Sequence, residues 1–111
     1  MDIQFSREKN ITVASVKGRI DATTAPEFER TFAGVMDSGE KVFLFDFDGV
    51  EYISSAGLRI ILAAAKRLNT IEGKIAFAAL HGPVKDVFRI SGFGAIFNIY
   101  ETRDEALADI S

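Results

Sequence analysis

Apolar and polar residues alternate over the first part of the chain, and this two-residue period predicts β-strands. Ile3 and Phe5 lie on one side of a short strand, residues 3–7, and β-branched residues fill a second strand, residues 11–17. The polar residues 8–10 between them are few enough for a tight turn. We therefore expect these two strands to pair in an antiparallel manner.

Four later segments carry apolar residues three and four positions apart, which is the spacing of one face of a helix. They begin near residues 24, 55, 82 and 102. Thr24 with Glu27, and Thr102 with Glu105, have the spacing of a capping box at a helix start. These two pairs predict where the first and last helices begin.

Apolar runs between the helical segments predict three further strands, at residues 42–47, 75–79 and 97–100. Residues 48–52 are expected to connect the first of these strands to its helix. Strands that alternate with helices imply a largely parallel sheet. We predict one α/β domain, residues 1–111, with a mixed sheet of four to five strands and about four helices packed mainly on one face.

Composition narrows the classes of function. The chain has 111 residues, 48% of them apolar, and a net charge of −3 with no basic stripe, so we expect neither nucleic-acid nor membrane binding. It has no cysteine and one histidine, so thiolate metal sites are excluded and we expect neither metal nor cofactor. Without a long apolar stretch or the layout of a signal peptide, the sequence predicts a cytoplasmic protein.

Residues 52–58, YISSAGL, place two serines where a strand is predicted to become a helix. Serine is a preferred N-cap, and one serine is enough for that role. Ala56 and Gly57 are small, so another molecule could approach the first turn closely. A phosphate at this point would also be stabilised by the free amides of the helix start. The residues alone leave a cap and a modification site both open.

A second polar group, Asp21, Thr23 and Thr24, precedes the first predicted helix. A turn role for Asp21 and a cap role for Thr24 are the simple interpretations. Because parallel strands end at one edge of a sheet, we expect these residues to lie near Ser54 and Ser55. The two groups could then form one composite surface.

The serines also raise the possibility of a small serine hydrolase. Its nucleophile elbow needs Gly-x-Ser-x-Gly, but residues 53–57 read ISSAG, with Ile53 in place of the first glycine. The only histidine, His81, falls in a predicted loop beside Gly82 and Pro83. The pattern therefore favours a protein that is not an enzyme.

Taken together, these motifs resemble the STAS domain, the family of anti-sigma factor antagonists that is also found appended to sulphate transporters. The resemblance extends from Ile11 to about Ile110. It is carried by GRIDATTAP at 18–26, DFDGVEYISSAGLRIIL at 46–62, and GKIAFA followed by HGPVKDVFRISGF at 81–93. It implies a sheet with helices on one face.

The resemblance implies a partner-switching role. In such systems the unmodified antagonist binds an anti-sigma factor that is also an ATP-dependent serine kinase, and this binding frees the sigma factor. The kinase then phosphorylates the antagonist, which lets go, and a metal-dependent serine phosphatase resets it. Members of the family often act as monomers, so the resemblance also implies a monomer.

Carried onto this chain, the resemblance makes Ser55 the phosphoacceptor, with Ser54 as the second choice. Many family members have Asp where this chain has Ser54. Asp21 matches the acidic residue near the acceptor. A partner surface would then comprise Asp21, Thr23, Thr24, Ser54, Ser55, Ala56 and Gly57. The alternative keeps the fold but makes the domain a scaffold or a small-ligand-sensing module, with Ser55 only a cap.

Overall fold

A five-stranded sheet runs through the molecule, and its strands lie side by side in chain order. In the computed structural model, which describes residues 1–110, the strands are β1 (Asp2–Glu8), β2 (Ile11–Ile20), β3 (Val42–Ile53), β4 (Lys74–Ala78) and β5 (Asn98–Tyr100). β1 is antiparallel to β2, and the remaining neighbours are parallel. This confirms the predicted mixed sheet.

Over residues 1–110, five helices connect and cover the strands: α1 (Ala25–Asp37), α2 (Ser55–Asn69), α3 (Gly82–Ile90), α4 (Phe93–Ile96) and α5 (Arg103–Ile110). Each parallel crossover moves one strand further along the sheet, so α1 to α4 pack on one face. α5 packs on the other face. The one-turn helix α4 was not predicted, and it begins directly after Gly92, which has φ +82°.

The main core lies between the sheet and α1 to α4, and it is rich in phenylalanine. Alternate residues of β3 point into it, because successive side chains of a strand face opposite sides. Seven phenylalanines in this core are almost completely buried: Phe28, Phe32, Phe43, Phe45, Phe47, Phe77 and Phe88. On the other face Leu44 joins a smaller cluster with Ala106 of α5. The sequence predicts that Ala106, Leu107 and Ile110 of the last helix face inward, and this is confirmed, because Ala106 is buried and the other two pack against the same cluster.

The prediction that residues 48–52 form a connection is wrong, because β3 continues without interruption to Ile53. The extra residues pair with the end of β2, across two irregularities of register that lie near Gly18 and Gly49. A Cβ at Gly49 would lie 2.6 Å from the side chain of Lys17, so only glycine fits there. Gly49, which lies in the segment predicted as a connection, instead lets β3 continue close to Lys17.

This long strand carries the start of α2 away from the centre of the sheet. The last pair between β3 and β4 is Asp46 with Ala78, whereas β2 and β3 stay paired as far as Ile20 and Ile53. β3 therefore extends seven residues beyond β4, roughly 23 Å at about 3.3 Å per residue. Among residues 1–110, no helix is long and apolar enough to cross a membrane.

Candidate functional site

The two polar groups of the sequence meet at the shared end of β2 and β3. Ile20 and Ile53 form the last pair of these strands, and the Ser54 amide donates a hydrogen bond to the Ile20 carbonyl at 2.8 Å. α1 begins at Ala25 and α2 begins at Ser55, so both helices start at this edge. The expectation that they share one edge is confirmed.

Ser54 is the N-cap of α2. Its backbone is extended, with φ −93° and ψ 171°, and its Oγ accepts a hydrogen bond from the Gly57 amide at 3.4 Å. Its carbonyl accepts the first bond of the helix, from the Leu58 amide at 3.0 Å. The side chain of Ser54 is half-buried and is used by the helix itself.

Ser55 is the first residue of α2 and is exposed. Within the described residues 1–110, its hydroxyl makes no hydrogen bond. The two serines therefore have separate roles. Ser54 caps the helix, and Ser55 presents a free hydroxyl beside it.

The prediction that Gly57 is small so that another molecule can approach is wrong. This residue is buried, and an added Cβ would lie 2.7 Å from Ile20 Cγ2 and 2.9 Å from Ile53 Cγ1. Its small size serves close packing within the molecule and does not open the first turn to a partner. Ala56 is only partly buried, so it does belong to the accessible surface beside Ser55.

The predicted capping box of α1 is also wrong, because Thr24 makes no side-chain cap. Its hydroxyl donates to the Arg19 carbonyl at 2.7 Å and accepts from the Asp21 amide at 2.9 Å. Asp21 takes over the start of the helix: its Oδ1 accepts from the amides of Thr23 and Thr24 at 3.0 and 3.1 Å. An Asp side chain that bonds the backbone two and three residues ahead stabilises such a turn.

These contacts change the pKa of the Asp21 carboxyl. The hydrogen bond from the Thr24 amide is the main cause that lowers the pKa of the Asp21 carboxyl below its ordinary value. Further contributions come from the Thr23 amide and from Arg19, whose Nε lies 3.6 Å from Asp21 Oδ2. All of these groups favour the charged carboxylate. A fixed negative charge thus lies at the end of β2, next to the edge where α2 begins.

Arg19 and Tyr52 complete the edge, and sequence reasoning missed both. They are opposite each other in the β2–β3 pairing, and the Arg19 guanidinium lies 4.4 Å from the centre of the Tyr52 ring. This is the distance of a cation–π contact. The signal could have been found only by knowing that β3 extends past Asp48, since the pair forms in that extension.

His81 and a groove on the surface both lie apart from the site formed by the Asp21 turn and the start of α2. His81 Nε2 is 2.5 Å from the Asp48 carbonyl, so the ring is bonded to the backbone of β3 and not to a serine. A groove of about 430 Å³ lies between α3, α4 and β5, and neither Ser54 nor Ser55 lines it. The exposed Ser55 hydroxyl at the start of α2 therefore lies on the open surface, outside this groove.

Comparisons with known proteins agree with this fold. A model of the STAS domain family matches residues 2–106. The chain is 33% identical over 108 residues to BtrV of Bordetella bronchiseptica, whose assigned role is that of an anti-sigma factor antagonist; the alignment covers 97% of this chain and 93% of BtrV. It also resembles the crystal structure of an anti-sigma factor antagonist from Mycobacterium paratuberculosis, with 27% identity, a TM-score of 0.88 and coverage of 98% and 92%.

The fold alone is shared with a more distant structure, the Bacillus cell fate determinant SpoIIAA in its phosphorylated form. The TM-score is 0.77 at 17% identity, and the alignment covers 99% of this chain and 100% of SpoIIAA.

The division between the two serines predicts different effects on stability. We expect Ser54→Ala to lower the free energy of unfolding by about 1 kcal/mol, because it removes the cap. Ser55→Ala should change it by less than about 0.5 kcal/mol, because the hydroxyl is exposed and unbonded. Chemical denaturation measures both. Ser54→Asp, which keeps a capping oxygen, is the matched control, and a Ser55→Ala cost equal to that of Ser54→Ala would contradict the assignment.

The lowered pKa of Asp21 predicts a pH-dependent contribution to stability. A carboxyl whose pKa is lower in the folded state contributes its full stabilisation of the fold above its unfolded pKa, about 3.8 for Asp21, and loses this contribution as pH falls through the folded pKa. The difference in unfolding free energy between wild type and Asp21→Asn should therefore be constant near neutral pH and shrink below about pH 4.

Denaturation curves at a series of pH values measure this difference. Asp2→Asn, which also removes one exposed carboxylate, is the control for the change in net charge. A difference between wild type and Asp21→Asn that stays the same down to pH 3 would show that the carboxylate does not support the turn.

Proposed function

The chain belongs to the STAS domain family of anti-sigma factor antagonists, and we propose that it works there as a partner switch controlled by phosphorylation of Ser55. Anti-sigma factor antagonists are non-enzymatic regulatory proteins that bind anti-sigma factors. The observation that carries the proposal is the exposed, unbonded Ser55 hydroxyl at the first position of α2, beside a separate capping serine.

The partner in this proposal is an anti-sigma factor that is itself an ATP-dependent serine kinase. It binds the unmodified chain and then transfers the γ-phosphoryl group of ATP to Ser55 Oγ, while ADP leaves. A serine phosphatase removes the phosphate by hydrolysis and restores binding. Phosphorylation is known within this fold, since SpoIIAA exists in a phosphorylated form. Action as a monomer in the cytoplasm is part of the same proposal.

The site can accept a phosphate without rearrangement. Ser55 already points away from the core, and its hydroxyl holds nothing that would be lost on modification. The first amides of a helix lack intrahelical acceptors, and the helix dipole favours negative charge at this end. The cap made by Ser54 stays in place, because it uses a different oxygen.

Release of the partner follows from electrostatics in this proposal. The docking surface comprises Ser55 and Ala56 of α2 together with the turn from Asp21 to Thr24. A phosphoserine adds about −1.5 to −2 charges at pH 7. Taking that charge out of water against a partner that has no cation for it costs free energy. Asp21, held in its charged form by the turn, adds a second negative charge at the same edge.

The test is the binding of serine variants to the cognate anti-sigma factor. Ser55→Ala should bind about as tightly as wild type, because the hydroxyl is small and unbonded. Ser55→Glu should bind at least about tenfold more weakly, since taking a negative charge out of water against a partner that has no cation for it costs more than about 1.4 kcal/mol. Titration calorimetry measures both dissociation constants.

Gln4→Glu is the matched control, because it adds one negative charge of similar size on the exposed side of β1. It should bind like wild type. If Ser55→Ala, Ser55→Glu and wild type all bind equally well, Ser55 is not the switch, and the interpretation as a scaffold gains support.

A further inference from the structure

An arginine lies one turn after Ser55 on the same helix. Arg59 is four residues further along α2, and residues four apart lie on the same side of a helix. Long side chains in a helix lean back toward the preceding turn. The guanidinium of Arg59 can therefore reach the turn that begins with Ser55.

In the described part of the chain, residues 1–110, Arg59 has no fixed partner. Its side chain is exposed, and within residues 1–110 it takes part in no ion pair. Two other arginines are engaged: Arg19, at the end of β2, is paired with Asp21, and Arg67 of the same helix is paired with Asp37. Among these three arginines, Arg59 is thus the one whose positive charge is not already committed.

We propose that Arg59 is the intramolecular partner of phosphorylated Ser55 and holds the phosphate along the surface of α2. This inference rests on the proposed function, since it concerns the modified serine. A negative group followed by a positive one four residues later is the favourable order in a helix. The planar guanidinium also offers two parallel N–H donors that match two phosphate oxygens.

With this pairing, phosphorylation changes two charges at the docking surface, because it adds the phosphate and engages the Arg59 guanidinium. In the unmodified chain, Arg59 offers a free cation at the edge of the docking surface. After phosphorylation, the same cation turns back to the phosphate and is withdrawn from a partner. Arg59 is a positioning residue in this scheme: it orders the phosphate but takes no part in the transfer of the phosphoryl group.

The experiment places phosphoserine at position 55 during translation, so that no kinase is needed, and follows its phosphorus NMR signal against pH. The second pKa of phosphoserine is about 6. Arg59→Gln should raise this pKa by roughly 0.2 to 0.4 of a pH unit relative to the phosphorylated wild type, the size expected of an exposed pair. Arg59→Lys should retain part of the effect.

Lys66→Gln is the matched control. It removes one exposed positive charge from the same helix, but eleven residues from Ser55, or roughly 16 Å along the axis. It should leave the phosphate pKa unchanged. The nearby charges of Asp21 and Arg19 are the same in every variant, so they cannot produce a difference.

The outcomes separate this inference from the proposed function. If Arg59→Gln and Lys66→Gln leave the phosphate with the same pKa as in the wild type, the pairing is wrong even when a kinase modifies Ser55. If Arg59→Gln alone raises the pKa, the pairing stands. It would stand even if the cognate anti-sigma factor failed to phosphorylate the chain, a result that would count against the proposed function only.

Discussion

The start of α2 is set by a contact that only glycine allows. Gly57 packs directly on Ile20 and Ile53, the last paired residues of two neighbouring strands, with no room for a Cβ. The Ser54 amide is bonded to the Ile20 carbonyl just before that contact. These constraints fix the first turn of the helix against the sheet. As a result Ser54 turns inward as the cap while Ser55 faces solvent.

Backbone contacts hold both parts of the proposed switch site in place. The turn at Asp21 is held by backbone hydrogen bonds, and the long β2–β3 pairing carries both helix starts to one end of the molecule. His81 ties the start of α3 to the extended part of β3. Nothing in this arrangement needs to unfold when a phosphate is added. The proposed switch therefore changes the charge of a surface that keeps its shape.

Local patterns were sufficient for the fold class, the start of α2 and the meeting of the two polar groups. They failed where a distant residue decides the outcome. Residues 48–52 are predicted as a connection, yet Gly49 within them allows β3 to pass close to Lys17. Thr24 has the spacing of a cap, but Arg19 and Asp21 bind its hydroxyl. Gly57 has the small size that would open a surface, yet it packs against Ile20 and Ile53, which its local sequence does not reveal.

In the proposed switch, one of two adjacent serines, Ser54, is structural, and the other, Ser55, carries the phosphate. The direct measurement is mass spectrometric mapping of the phosphate after the chain has been incubated with its anti-sigma factor and ATP. The expected result is one phosphate, on Ser55, and no phosphate on Ser54, whose oxygen accepts the capping hydrogen bond from the Gly57 amide. Phosphate on Ser54, or an unmodified chain with the true partner, would contradict it.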